Sequence, residues 1–163
     1  MPTTYAIPDG RTVMAATIYT GNGSTTGNTQ SISNAVNGVS FQPDLVWVKS
    51  RSATTFNILV DSVRGTNTTL YSNGANAEES LSNVMNSFNS GGFTAAYNSA
   101  YGNVVTNANA VTYVGWQWKA GGTSASNTNG SITSTVSVGA TQGFSVVTYT
   151  ASSSASTIGH GLG

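Results

Sequence analysis

The chain has 163 residues, no cysteine, and five basic against five acidic side chains, for a formal net charge of zero. The length suits one domain plus an extension, and the missing cysteines exclude a disulfide framework, a thiolate zinc site and a cysteine nucleophile. Charged residues make up 6% of the sequence, against roughly 25% in an ordinary soluble domain, so no long-range field draws the chain to nucleic acid or to an anionic membrane.

In chain order the sequence reads as strands and turns. Short β-branched or aromatic runs fall near 12–20, 29–33, 44–50 and 55–61, then near 92–97, 111–119, 131–138 and 143–150. Asn22-Gly23, Asn37-Gly38, Asn73-Gly74 and Asn129-Gly130 punctuate them as candidate tight turns. One segment has helical spacing: Asn76 and Glu79 stand as a capping box, and Leu81, Val84, Met85 and Phe88 follow at 3, 4 and 7. Ala120–Gly130 holds no aromatic, charged or large aliphatic residue and is expected to be a linker or exposed loop. Met1–Gly10 lacks the basic start and apolar centre of a secretory leader, and no run of 18 apolar residues is present to insert in a membrane. The expected fold is all-β, a jelly-roll-like antiparallel β-sandwich with at most one short helix.

Two stretches resemble each other. Val13–Thr20 reads VMAATIYT and Gly143–Thr150 reads GFSVVTYT; each is followed by a small-polar run and then a lone isoleucine, Ile32 or Ile158. Similar segments at a distance are the mark of repeated modules. The implied division is a complete module over 1–119, a linker over 120–130 and the opening strands of a second copy over 131–163. Such a fragment cannot complete its own core and is expected to lean on the first module, a neighbouring chain or further sequence.

The residues able to carry chemistry are few. Asp44, Lys49, Arg51, Asp61 and Arg64 are half of the charges. They are expected to form a structural ion-pair network rather than a ligand site. In the strand from Asp44, alternation places Leu45, Trp47 and Lys49 on one face and Val46, Val48 and Ser50 on the other. In TYVGWQWKAGG it places Val114, Trp116 and Trp118 opposite Tyr113, Gly115 and Gln117. The tryptophan faces are expected to be sandwich core, with a sugar-stacking platform as the competing reading. On that reading Trp47, Tyr97, Tyr101, Trp116 and Trp118 would contact glycan, the two tyrosines in a loop being the more exposed. Glu78 and Glu79 read as a solvated helix start and the single histidine, His160, as part of a Gly-rich turn. The spacing of acids and histidine gives no calcium loop, zinc cluster, catalytic triad or phosphate loop, and no cofactor or metal is expected.

The order FQPDLVWVKSRS, DSVRG, GGFT, TYVGWQWKAGG resembles a module of tail and other virion proteins of tailed bacteriophages, notably marine and cyanobacterial phages. Tyr-Thr-Gly-Asn-Gly at 19–23 is similar to the usual module opening, and Gly-His-Gly-Leu at 159–162 to a turn found in later copies. The resemblance covers about residues 11–163. It implies a jelly-roll-like sandwich, often in tandem, in long virion proteins that form symmetric homo-oligomers, trimers or higher, with other virion proteins as partners. It brings no catalytic residues. The expected function is a non-enzymatic virion structural protein of a tail fibre, spike or head-surface fibre, acting in assembly and host attachment. The alternatives are a carbohydrate-binding module for cell-surface glycans and, last, a glycan depolymerase using Asp44 or Asp61.

Overall fold

A computed structural model of the chain describes residues 9–103 and 105–163. Twelve strands follow one another: β1 (Met14–Thr20), β2 (Thr29–Ser33), β3 (Leu45–Ser50), β4 (Ile58–Asp61), β5 (Thr68–Tyr71), β6 (Glu79–Ser80), β7 (Met85–Asn89), β8 (Gly92–Ala96), β9 (Thr112–Trp118), β10 (Ala125–Asn127), β11 (Ser134–Gly139) and β12 (Phe144–Tyr149). The described helical content is two 3-10 turns, Gly10–Thr12 and Ser99–Tyr101. The strands form three antiparallel sheets, ordered β1-β9-β3-β4-β5-β6, β2-β8-β7 and β10-β11-β12. The protein is an all-β sandwich, as its strand and turn pattern predicts.

The core lies between the first two sheets. Val46, Val48, Ile58, Val60, Tyr71 and Tyr113 of the six-stranded sheet meet Ile32, Met85, Phe93 and Ala95 of the three-stranded one. Every second residue of β3 and β9 is buried, as a half-buried pleated strand requires. Phe93 is fully buried, and its ring stands edge-on to Tyr19 at 6.1 Å. It fits because β9 carries a glycine opposite: a Cβ at Gly115 would lie 3.1 Å from the ring. Backbone comes closer still at Gly92, where φ is 143° and a Cβ would lie 2.0 Å from the carbonyl oxygen of Ile32.

The helix expected over 76–88 is not formed. Glu79–Ser80 is β6 and Met85–Asn89 is β7. Asn83 sits at φ 57°, which a right-handed helix does not allow. The helix-like spacing has another origin. A bulge shifts the register between Met85 and Ser87, so Met85 opposes Ala95 and Phe88 opposes Phe93. The extra residue turns side chains three apart to the same face of a strand.

The stretch expected as a linker, 120–130, carries β10, which pairs with β11 from Ala125↔Val136 to Asn127↔Ser134. Asn127 is buried, and its Oδ1 accepts from Asn129 N at 2.9 Å. Nothing large was needed to hold this strand, because the backbone ladder supplies the contact. The third sheet meets the sandwich through a few joints. Asp44 Oδ2 accepts from Ala120 N at 2.7 Å, Gly121 N donates to Ser137 Oγ at 3.2 Å, and Trp118 stacks on Phe144 at 6.3 Å. Residues 157–159 run back along 131–134, with an isolated bridge between Ile132 and Ile158.

Phe93→Ala is expected to lower unfolding free energy by about 3–5 kcal/mol, as for other buried aromatic truncations. Chemical denaturation checks it; a loss under about 1 kcal/mol would mean that the inter-sheet packing around Gly115 is not the core.

Candidate functional site

Pleating sends alternate side chains of the six-stranded sheet away from the core. Register then aligns them in rows. Ala16 opposes Trp116, Trp116 opposes Trp47, Trp47 opposes Leu59, and Leu59 opposes Leu70. One apolar row therefore crosses five neighbouring strands on the outer face. On one side of it Ile18, Val114 and Lys49 are aligned, and on the other Met14, Trp118 and Leu45. Ile18 is 69% exposed, Met14 40% and Leu70 37%. The Trp47 and Trp116 rings lie 5.1 Å apart at 44°.

This placement corrects the expectation that the tryptophans are core. Alternation partitions β3 and β9 as the sequence indicates, but the inward faces are Val46–Val48–Ser50 and Tyr113–Gly115–Gln117. The physical reason is space and satisfied polarity. Gly115 leaves room for the Phe93 ring. Gln117 is fully buried and has partners: its Oε1 accepts from Asn34 Nδ2 at 3.2 Å and its Nε2 donates to Thr17 Oγ1 at 3.1 Å. The three tryptophans are half-buried, packed side by side on the outside. Trp47 Nε1 is covered by its neighbours and has no hydrogen-bond partner among the described residues. Tyr97 and Tyr101 are also half-buried but belong to the loop after β8, in the other sheet. Tyr101 packs against the core, and Tyr97 covers Gly23. The five aromatic candidates thus divide into an outer tryptophan cluster and two separate tyrosines.

The five charged candidates also divide. Arg64 Nε donates to Asp61 Oδ2 at 2.6 Å, and Arg64 Nη1 reaches Glu78 Oε2 at 3.1 Å. Asp61 is buried, and its other oxygen accepts from the backbone of Val63 and Arg64 at 3.0 and 2.9 Å. That makes a fixed turn after β4. Asp44 is buried without an ion pair among the described residues; Ser62 Oγ and Ala120 N satisfy it at 2.8 and 2.7 Å. Lys49 Nζ donates to Ser50 O at 2.6 Å on the tryptophan face, and Arg51 is exposed beyond β3. Asp61 and Arg64 are brought together, Glu78 joins them, and Asp44, Lys49 and Arg51 stand apart. Glu78 was legible only as part of a helix start. Its position opposite Arg64 follows from β5–β6 pairing, which the sequence does not signal.

Asp61 stands opposite Leu45, the residue after Asp44, and each acid accepts hydrogen bonds from its own fixed partners. His160 Nδ1 accepts from Leu162 N at 3.1 Å in a local turn. Among the described residues no three His, Asp or Glu side chains converge as a metal site would require. No described helix is long and apolar enough to cross a membrane.

The groups with displaced ionisation are tyrosines. Burial, then the neighbouring Tyr113, pushes Tyr19 well above the usual phenol range. Its hydroxyl donates to Thr106 O at 2.7 Å. Burial also raises Tyr113 and Tyr71, and Glu79, which accepts from the Tyr71 hydroxyl at 2.9 Å, raises Tyr71 further.

The chain matches, over residues 10–163, the family described as a domain of unknown function, DUF7483, and belongs to it. The matched range takes in both the sandwich and the third sheet. No curated protein and no solved structure matches the chain.

Two outcomes follow from this arrangement. Because the folded phenols ionise later than unfolded ones, stability is constant from neutral pH to about 10 and falls above it. The tyrosinate absorbance of Tyr19, Tyr71 and Tyr113 should therefore rise together with loss of circular dichroism; ionisation of these three in a folded protein near the ordinary phenol range would contradict this. Trp47→Ala and Trp116→Ala should each cost only about 1–2 kcal/mol, since half-buried outer rings lose less than core ones. Losses equal to that of Phe93→Ala would return them to the core.

Proposed function

We propose that this member of the DUF7483 family is a non-enzymatic structural module of a tailed-bacteriophage virion, built into a tail fibre, spike or head-surface fibre. It works there in particle assembly and host attachment. The observation that carries the assembly role is the apolar row Ala16–Trp116–Trp47–Leu59–Leu70 on the open face of the larger sheet. Monomeric soluble domains seldom leave contiguous apolar surface of this kind uncovered, and where they do it marks an interaction site. The phage setting is supported by the motif order FQPDLVWVKSRS, DSVRG, GGFT, TYVGWQWKAGG. A charge-poor Ser, Thr and Asn surface agrees with both, because neutral surfaces pack against copies of themselves without like-charge repulsion. The partners on this reading are other virion proteins and further copies of the chain, in a symmetric homo-oligomer.

A second reading, recognition of cell-surface glycan, is favoured by one observation: Trp47 and Trp116 are on the outside. Indole faces stack on the apolar faces of sugar rings, and Lys49 beside them can donate to hydroxyls.

Mass spectrometry and antibody labelling of purified phage particles test the first reading. The chain is expected at a fixed, high copy number on an external appendage; its absence from particles that encode it overturns the assignment. Glycan arrays carrying host-envelope polysaccharides test the second. Binding is expected to be lost in Trp116→Ala and kept in Tyr101→Ala, and no binding by the intact chain removes this reading.

A further inference from the structure

β1 is the outermost strand of the six-stranded sheet, and β2 is outermost in the sheet facing it. The two edges open on the same flank, around a hollow lined by Met14–Ile18 of β1 and by Ser33–Val36. Thr17 Oγ1 donates to Ser33 O across it at 3.2 Å.

Among the described residues, β1 uses only half of its backbone along this flank. Gly21 N donates to Val111 O and Lys119 N to Val13 O, both at 2.8 Å, and the register between them runs unbroken from Met14↔Trp118 to Thr20↔Thr112. Antiparallel alternation therefore turns the odd-numbered residues, 13 to 21, toward β9. It leaves the N–H and C=O of Met14, Ala16, Ile18 and Thr20 directed outward. A long edge strand is ordinarily guarded by lysine, proline, a bulge or a covering loop. MAATIYT has no charge, no proline and no register shift. Its flanking side chains are apolar and open, Ile18 at 69%, Met14 at 40% and Val36 at 48% exposure. Arg11, which also lines the hollow, is occupied by Asp9 at 2.8 Å.

We infer that β1 is an assembly edge that pairs antiparallel with β1 of a second copy of this chain, joining two six-stranded sheets into one. Two arguments select a second copy. A two-fold contact sets a strand against itself, so any charge along it would meet its like; β1 is neutral throughout. A two-fold axis at Thr17 also sets small against large. Ala16 faces the partner's Ile18, and Met14 faces the partner's Thr20. Size is in keeping. Seven paired residues span about 24 Å and the two sheets about 20 Å, a flat area on the order of 480 Å². That is a small contact beside the ~800 Å² per partner of a standard interface, and it suits reversible association. The contact is made by the backbone edge of β1, although the Ala16 and Ile18 side chains also border the tryptophan face, and it does not depend on the virion setting.

The full chain contains no cysteine, so introduced thiols report cleanly. Ala16→Cys and Ile18→Cys proteins, mixed under oxidation, are expected to form a disulfide-linked heterodimer in higher yield than either alone, since paired residues lie within disulfide reach. In sedimentation the wild type should associate reversibly with concentration. Ile18→Lys, at an exposed position, should weaken association by about tenfold or more, as a charge on the pairing edge does, with an unchanged melting curve. Ala16→Lys provides an independent second variant. A wild type that stays monomeric at its highest soluble concentration overturns the inference. So does association that survives both lysine variants, or that is lost as fully in Trp116→Lys as in them, which would move the interface to the outer face. Absence from phage particles, by contrast, would overturn the virion reading and leave these results standing.

Discussion

The Phe93 ring lying against Gly115 decides which side of the larger sheet is inside. Phe93 has no exposed surface, and a side chain at Gly115 would come within 3.1 Å of its ring. The close approach is possible only with that glycine inward. Strand parity is all-or-none, so one inward residue sets the whole of β9. Tyr113 and Gln117 follow Gly115 into the core, and Trp116 and Trp118 go out. β9 pairs on one side with β1 and on the other with β3, so the choice spreads. Ile18 and Ala16, and then Trp47 and Lys49, are carried to the same outer face by register. The candidate site is therefore a consequence of packing at one point on the opposite surface.

That choice leaves polar groups inside, and their cost is met by pairing. Gln117, Asn34 and the backbone of Phe41 form a closed set: Asn34 Nδ2 donates to Phe41 O at 2.8 Å, and Phe41 N donates back to Asn34 Oδ1 at 3.3 Å. A buried amide without partners costs about 1–3 kcal/mol each time. With them it becomes a specificity device, because no other register satisfies the same atoms. Tyr19 works in the same way, stacked on Tyr113 at 5.1 Å and bonded to Thr106 O. A chain with little charge thus fixes its interior with amides and phenols rather than ion pairs. Among the described residues the one multi-residue ion-pair cluster is Arg64 with Asp61 in the turn after β4 and Glu78, which reaches it from beside β6.

Much of this was legible in the sequence, and the exceptions have definite causes. Strands rich in β-branched and aromatic residues, such as β3 and β9, are plain from alternation, and so is their division into two faces. Which face is buried is not, since composition favours tryptophan over glycine and glutamine as core. Only the partner sheet, with Phe93, reverses that preference. β7 was hidden for the opposite reason. Its bulge gives Met85 and Phe88 a helical spacing, and a bulge leaves no mark in a single sequence. β10 was hidden because Ala125, Ser126 and Asn127 carry no strand signal, and a strand held mainly by its backbone needs none. Within the site, the sequence shows the tryptophans as a cluster but not which side they take, and Glu78 as a charge but not as the partner of Arg64.

The two similar strands show how far local sequence goes. β1 and β12 both end in Tyr-Thr, yet β1 alternates between exposed and half-buried, whereas Phe144–Thr148 of β12 is half-buried at every position. β1 has a filled core on one side, which sorts its residues by face. β12 lies at the margin of a three-stranded sheet and is sorted by nothing. The sandwich, not the strand, creates the contrast between an apolar outer face and a sealed inner one. The character of any contact made there follows from the same economy of charge. Neither the apolar row nor β1 itself carries a charge, and Lys49 stands beside the row. Association through either surface would then be driven by burial and backbone pairing, which salt screens little, rather than by charge steering, which salt abolishes.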